Sequence, residues 1–290
     1  MKVCLKCSEE IPTDGWRCIQ CGWEPVFSDG TFQFAPEIFG ATESYDPLWY
    51  EELTSLESNN FWFVARNRLI GWLAKKYCPG NANYLELGCG TGYVLQMLNR
   101  LFPGWTVFAT EAQPEGISFA RSRVSEGVEF LQMNACAIPF KSEFDVIGAF
   151  DVIEHIRDDV TAIQQIYSAL KPGGMFLVSV PQHMFLWSKF DEIGCHFRRY
   201  SSKELESKLK QAGFHIVFSS SFNSLLLPLM MLSRYLNKGK ENDQFDVLDE
   251  LRISRGLNWV LSLVLYCEFI LIRLLKKLPV GGSRIIVAKK

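Results

Sequence analysis

The sequence predicts an α/β fold: a seven-stranded, mostly parallel sheet with helices on both faces, a small metal-binding ribbon in front, and a helical insertion before the last strand. Three observations predict it. From Tyr84 onward short apolar runs alternate with helical patterns, the arrangement that builds a parallel sheet. Two Cys-x-x-Cys pairs stand within the first 21 residues. An apolar stretch at residues 223–283 separates the last two strand-like runs.

At 290 residues the chain is long enough for a domain with appendages, given about 150 residues per domain. Apolar residues make up 48% and charged residues 21%, which excludes a disordered chain, a collagen-like repeat or a fibre. The 30 basic residues against 32 acidic give a net charge of -2, and this argues against a nucleic-acid partner.

The first element is the ribbon, residues 1–40. Cys4, Cys7, Cys18 and Cys21 have the ligand spacing of a tetrahedral site for a structural Zn2+ ion, with two redox pairs or disulfides as the alternative. So small a module folds only with its metal. No charged-then-apolar leader precedes it, so the expected location is cytoplasmic, with Cys78, Cys89, Cys136, Cys195 and Cys267 as reduced thiols. Between Met1 and Gly40 stand three basic and six acidic residues, and a zinc held by four thiolates adds a formal -2. An RNA-binding ribbon needs the opposite sign. The ribbon therefore reads as a structural or protein-contact element.

A Gly/Pro/Asp-punctuated stretch to about Pro47 reads as a linker, so residues 41–60 hold linker and the start of a helix. That helix runs from Trp49 to Tyr77 and carries Phe61-Trp62-Phe63, Arg66 and Arg68. Strands are expected at 84–87, 106–109, 128–131, 144–150, 175–180, 214–219 and 284–288. Helices are expected at 93–101, 114–124, 158–170 and 203–212.

The insertion at 223–283 has two Leu/Met-rich parts, Leu225–Leu232 and Leu257–Leu278, around a polar segment, Asn237–Gln244. Its longest charge-free run in the second part, Leu257–Cys267, falls short of the about 18 apolar residues of a spanning helix. Drawn as a helix, Asn258, Ser262, Tyr266, Arg273 and Lys277 share a narrow stripe, so most of the circumference must be buried. Packing on its own domain or in a homodimer is the first reading. Peripheral membrane contact, helped by Arg273, Lys276 and Lys277, is the alternative.

The most informative segment is Glu86-Leu87-Gly88-Cys89-Gly90-Thr91-Gly92, between the first domain strand and a helix. Glycines there let the backbone turn tightly beside a ligand, and the helix start offers unpaired N–H groups. The dinucleotide pattern Gly-x-Gly-x-x-Gly fails, because its third glycine would fall on Tyr93 or Leu95. Glu111 ends the second strand, where a carboxylate accepts from ribose hydroxyls.

Glu86–Gly92, Glu111, Asn134-Ala135, Phe144–His155 and Leu170–Gly174 together resemble the successive motifs of a class I S-adenosylmethionine-dependent methyltransferase, a Rossmann-like fold. The resemblance covers residues 60–222 and the last strand. Phe61–Arg66 and His196–Tyr200 are similar to a bacterial subgroup whose genes often accompany cell-surface polysaccharide synthesis. The resemblance implies that Glu86, Gly88, Cys89, Gly90 and Gly92 hold the methionine part of the cofactor, Arg66 pairs with its carboxylate, Glu111 binds the ribose, and Asn134 with Ala135 contacts the adenine. Ala112, Phe150 and Asp151 complete the implied set. The family more often has Asp where this chain has Asn134, and an amide can both donate and accept.

Methyl transfer from a sulfonium mainly needs alignment of donor and acceptor, with a base only where a hydroxyl must lose its proton. Candidates for that base are Asp151, Glu154, His155, His183 and His196. His155 has a competing reading as a helix-start residue satisfied by backbone. His196 with Arg198, Arg199 and Tyr200 forms a dense polar set that either clamps a phosphate or carboxylate or makes salt bridges that hold the loop. The expected catalytic group is thus His155, His196, Arg199 and Tyr200. The chain after the fourth strand reads Asp151-Val-Ile-Glu154 in place of an Asn/Asp-Pro-Pro-Tyr/Phe turn, and no Pro-Cys nucleophile is present. Hydroxyl oxygen is the remaining acceptor: a sugar, a lipid-linked glycan or another small molecule, with S-adenosylhomocysteine as the other product. The alternatives are an RNA methyltransferase that uses the ribbon for recognition and a non-catalytic cofactor-binding module.

Overall fold

The computed structural model describes residues 1–12, 14–38, 47–124, 127–237 and 252–290. Residues 39–46 of the expected linker and the polar segment beyond Asn237 lie outside the described residues.

The ribbon opens with a short antiparallel pair, β1 (Lys2–Val3) and β2 (Glu10–Ile11), followed by β3 (Val26–Ser28) and β4 (Thr31–Gln33). Helices α1 (Pro47–Glu57) and α2 (Phe61–Tyr77) lead into β5 (Ala82–Leu87), α3 (Tyr93–Leu101), β6 (Trp105–Thr110), α4 (Pro114–Arg123) and β7 (Val128–Gln132). Next come β8 (Phe144–Phe150), α5 (Asp159–Ala169), β9 (Leu170–Pro181), α6 (Lys189–Ile193), α7 (Ser202–Gln211) and β10 (His215–Phe222). The chain continues through α8 (Leu227–Asn237), α9 (Arg255–Leu275) and β11 (Ser283–Lys289).

The sheet order is β10-β11-β9-β8-β5-β6-β7-β4-β3. β5 to β9 run parallel, and β11 lies antiparallel between β9 and β10. The seven expected strands are all present. Successive side chains of a strand point to opposite faces, so Leu85 and Leu87 enter a core with Ile147, Ile163 and the ribbon's Trp16, whereas Tyr84 enters a second core with Val107, Ile70 and Leu95.

The structure differs from the sequence reading at three places. Two further strands extend the sheet to nine. Residues 26–33, inside the expected ribbon and not read as strands, form a hairpin whose turn residues Asp29 and Gly30 both have positive φ (51° and 70°), as a two-residue hairpin turn requires. Its inner strand β4 pairs in parallel with β7, and the Gln132 side chain binds the Ala35 backbone at both ends, 3.1 and 2.7 Å.

The single helix expected from Trp49 to Tyr77 is two. Asn60 caps the second, its side-chain oxygen accepting from the Trp62 N–H at 2.9 Å, which ends the first before it can continue.

The third difference concerns α9, which is continuous over 21 residues. By length and composition it is apolar enough to cross a membrane (mean hydropathy 1.7), although its charge-free run suggested otherwise. The charge that ends that run is enclosed: Glu268 is buried, and its carboxylate accepts from the Leu225 N–H at 2.8 Å. One face of α9, with Leu261, Leu265 and Ile272, is buried, and Arg68 of α2 stacks over the Tyr266 ring. Asn258, expected on a separate polar stripe, fastens it to α2 by accepting from the Phe61 N–H and donating to the Asn59 carbonyl, both at 2.8 Å. The expected burial of most of its circumference is not found: only 17% of the apolar window is buried. Trp259, Leu263, Ile270 and Leu274 are exposed, as are Leu229, Leu232 and Tyr235 of α8.

Candidate active site

The loop after β5 turns toward α3 through left-handed glycines. Gly88 has φ +62°, and a Cβ there would lie 2.7 Å from Val152 Cγ2. Gly92 has φ +80°, and its Cβ would lie 2.8 Å from the Ala120 backbone. Only glycine fits either position. Backbone bonds fix the rest: the Cys89 N–H donates to the Thr110 carbonyl at 2.8 Å, and the Gly90 N–H to Glu111 Oε2 at 2.8 Å. The other Glu111 oxygen accepts from the N–H groups of Ala112 and Gln113 at 2.7 and 3.3 Å. Burial pushes the Glu111 carboxyl above its ordinary range, against these three bonds.

Glu86, at the end of β5, is buried and accepts from the Tyr84 hydroxyl at 2.7 Å. Burial raises its carboxyl to about 8, with the Tyr84 bond and the Arg66 charge opposing. Arg66 is also buried, pairs with Asp151 and lies 4.7 Å over the Trp62 ring. Asp151 has φ +57° and also accepts from the Ser179 hydroxyl at 3.2 Å. Phe150, just before it, is buried against Gly148. At the far end Asn134 Oδ1 accepts from the Cys136 N–H at 2.8 Å, with Ala135 half-buried between them. Asn134 and Ala137 line a cleft of about 440 Å³ whose other wall is the ribbon: Leu5, Lys6, Trp23, Phe34, Ala35 and Glu37.

The expected cofactor residues thus stand in order along the ends of β5, β6, β7 and β8, where parallel α/β sheets bind ligands. A family model described as a methyltransferase domain matches residues 59–218. The chain belongs to the class I S-adenosylmethionine-dependent methyltransferases. A probable S-adenosylmethionine-dependent methyltransferase of Mycolicibacterium smegmatis is 28% identical over 167 residues, 57% of this chain and 63% of that one. A malonyl-[acyl-carrier protein] O-methyltransferase of Priestia megaterium is 28% identical over 114 residues, 39% of this chain and 42% of its own. The chain spans about three fifths of the length of the mycobacterial relatives it matches, 63% and 58%. A chain of the complex between the Haloferax volcanii Trm112 methyltransferase activator and a methyltransferase shares the fold with TM-score 0.57 and 18% identity, over 84% of this chain and 96% of that one.

Within this methyltransferase domain, the expected catalytic group is one cluster after β8. The rings of His155 and His196 meet edge to face with centroids 4.5 Å apart. Burial, then the neighbouring His196, lowers the His155 imidazole to about 3. His196 Nδ1 lies 2.8 Å from Asp191 Oδ1. Arg199 grips the same carboxylate through Nε and Nη2 at 2.7 and 2.9 Å. Burial opposes the Asp191 charge, but the bonds from His196 and Arg199 win and hold it at about 2. Arg198 pairs with Asp159 at 2.8 Å, and the buried Tyr200 hydroxyl donates to Asp159 at 2.7 Å. Burial and that carboxylate raise the Tyr200 hydroxyl well above its ordinary value. Both arginines thus pair with carboxylates of the fold, the arrangement of the loop-holding alternative. His183, with φ +66°, stacks on Phe185 at 4.9 Å, away from this pair.

Two contributors were not singled out in the sequence. Glu57 accepts from the Thr91 hydroxyl at 2.7 and 2.8 Å and pairs with Arg123 at 2.6 Å, tying α1 to the glycine loop. Val152 fills the space beside Gly88. Val152 lies within the Phe144–His155 motif, but Glu57 lies outside every motif.

The four ribbon thiols converge separately. Cys4 and Cys21 sulfurs are 3.6 Å apart, Cys7 and Cys18 sulfurs 3.5 Å, and all four lie within 4.8 Å of one another. Sulfurs on one zinc stand about 3.8 Å apart at Zn–S distances of about 2.3 Å. The set fits a tetrahedral ion.

Proposed function

We propose that the protein transfers a methyl group from S-adenosylmethionine to a hydroxyl oxygen of a sugar, glycan-lipid or similar small acceptor. The observation that carries the reading is the loop from Gly88 to Gly92, closed on Val152 and Ala120 and bonded through Gly90 to Glu111. Glu86 and Arg66 face the amino-acid end of the cofactor, Glu111 its ribose, and Asn134 with Ala135 its adenine. The O-methyltransferase named among the relatives supports an oxygen acceptor. The exposed apolar faces of α8 and α9 favour an acceptor with a lipid part, met at a membrane surface. In the ribbon, Cys4, Cys7, Cys18 and Cys21 hold a structural zinc that fixes the wall opposite Asn134.

The test is incubation with methyl-labelled donor and three acceptor pools: lipid-linked glycans, free sugars and RNA. Label in the lipid-linked pool is expected. Transfer to RNA alone would overturn the acceptor class. Calorimetry with S-adenosylhomocysteine separates this from a failure to bind cofactor, which would overturn the enzyme reading.

A further inference from the structure

Glu154 has no role in the cofactor site, yet it is a fully enclosed carboxylate three residues after Asp151. Its exposure is 0%, and neither side-chain oxygen has a hydrogen-bond partner among the described residues. Burial and the nearby Asp151 charge both disfavour its ionised form. The neighbouring cations Arg66 and Arg199 are committed to Asp151 and Asp191. A buried carboxylate in this state is stabilised by protonation or by a cation delivered directly to it.

Two imidazoles stand at that position. One ligand atom from each of Glu154, His155 and His196 lies within 4.8 Å of the other two. Each ring has a partner that sets its orientation. His196 Nδ1 is engaged by Asp191, which is itself held by Arg199 and the Ser188 N–H, so Nε2 is the ligand atom. His155 hydrogen-bonds to the backbone of Gly194. A bond from the Phe197 N–H to the Glu154 carbonyl, 2.9 Å, pins one loop over the other. Outer partners of this kind, a carboxylate on one histidine and a backbone group on the other, are how proteins aim imidazoles at a metal.

We propose that Glu154, His155 and His196 bind one divalent transition-metal ion, separate from the four-cysteine cluster. Two imidazoles and one carboxylate suit Mn2+, Fe2+, Co2+ or Zn2+ better than Mg2+ or Ca2+. Three ligand atoms each about 2.1 Å from one ion stand about 3.0–3.6 Å from one another, so binding draws the three side chains together wherever they are farther apart than that. Val152, which packs against Gly88, is two residues before Glu154, so the cluster follows directly on the segment that touches the glycine loop. Its part in catalysis rests on the methyltransferase reading: an ion there lowers the pKa of an acceptor hydroxyl that reaches it. Binding itself does not depend on that reading.

Protein with its cysteine site filled by zinc is titrated with Mn2+, which thiolates hold poorly, and free Mn2+ is followed by electron paramagnetic resonance. One Mn2+ per chain is expected, with affinity reduced at least tenfold in both Glu154→Gln and His196→Gln. In the wild type, Co2+ added after zinc should give weak ligand-field bands without a thiolate charge-transfer band, a result that needs no variant to fold. No Mn2+ or Co2+ uptake, or uptake indifferent to both substitutions, overturns the site. Titration with S-adenosylhomocysteine in the absence of added metal reports on the cofactor site alone.

Discussion

Val152 occupies the space that a side chain on Gly88 would need: a Cβ at Gly88 lies 2.7 Å from Val152 Cγ2 and 3.0 Å from Cγ1. The glycine loop and the segment leading to Glu154 are thus packed as one unit. Gly90 differs, because a Cβ there meets nothing within 4 Å. Gly88→Ala combines collision with a left-handed backbone, whereas Gly90→Ala suffers backbone strain alone, about 1 kcal/mol. We expect Gly88→Ala to weaken S-adenosylhomocysteine binding at least tenfold in calorimetry. Adding Val152→Ala should recover part of the loss. Equal melting temperatures for Gly88→Ala and Gly90→Ala would refute the packing argument.

Glu86 makes the cofactor-free protein sensitive to base. Its carboxyl is raised to about 8 in the fold by burial, against about 4.3 in an unfolded chain. Below about pH 4 both states hold the proton, and the contribution to stability is complete. As pH climbs toward 8 the unfolded chain ionises first, so that contribution is progressively lost. Melting temperatures between pH 5 and 8 should fall less steeply in Glu86→Gln than in the wild type. Parallel curves would show that Glu86 does not carry the slope.

Removing zinc should be felt at the cofactor. The ribbon contributes β4 to the sheet edge and Trp16, Phe34 and Ala35 to the packing beside Gln132 and Asn134. Chelation, or Cys18→Ser, is expected to lower the melting temperature and to weaken S-adenosylhomocysteine binding. An unchanged binding isotherm after zinc loss, confirmed by metal analysis, would mean that the wall stands without its metal.

Asn258 holds α9 by two hydrogen bonds to the backbone that starts α2. Asn258→Ala leaves the Phe61 N–H and the Asn59 carbonyl without that partner, at a cost of about 1–3 kcal/mol. Faster amide exchange along α9, with little change in β5 or β8, is the expected signature. Uniform loss of protection across the sheet would point to a different role.

The parallel sheet and the cofactor loop were legible because their signals are local. Apolar runs such as Phe144–Phe150 are strands wherever both faces are covered, and Gly88 and Gly92 sit where only glycine can turn. The hairpin was missed although Asp29-Gly30 is a turn signal, because nothing local shows that β4 will find β7. For Arg199 and Tyr200 the sequence leaves two readings open, an anion clamp or a loop held by salt bridges. Their buried partners Asp191 and Asp159 lie eight and 41 positions away and share no motif with them. Glu57 was invisible for the same reason, since Thr91 is 34 positions distant. The extent of α9 was legible, but its apolar run looked too short to span a membrane because it stops at Glu268, whose oxygen is bound by the Leu225 N–H.

The pairing of β4 with β7 imposes an order on assembly. Ala35 and Gln132, whose groups lock that edge, are 97 positions apart. A metal-bound knuckle can form from neighbouring residues soon after synthesis, but the edge it joins exists only once β5, β6 and β7 have come together. Closing so long a loop is slow compared with local turns. Until then Phe32, Phe34 and Trp16 have only one another to pack on, without Phe140 and Leu131, and the newly made ribbon carries part-covered aromatics that a chaperone or a second nascent chain can meet first.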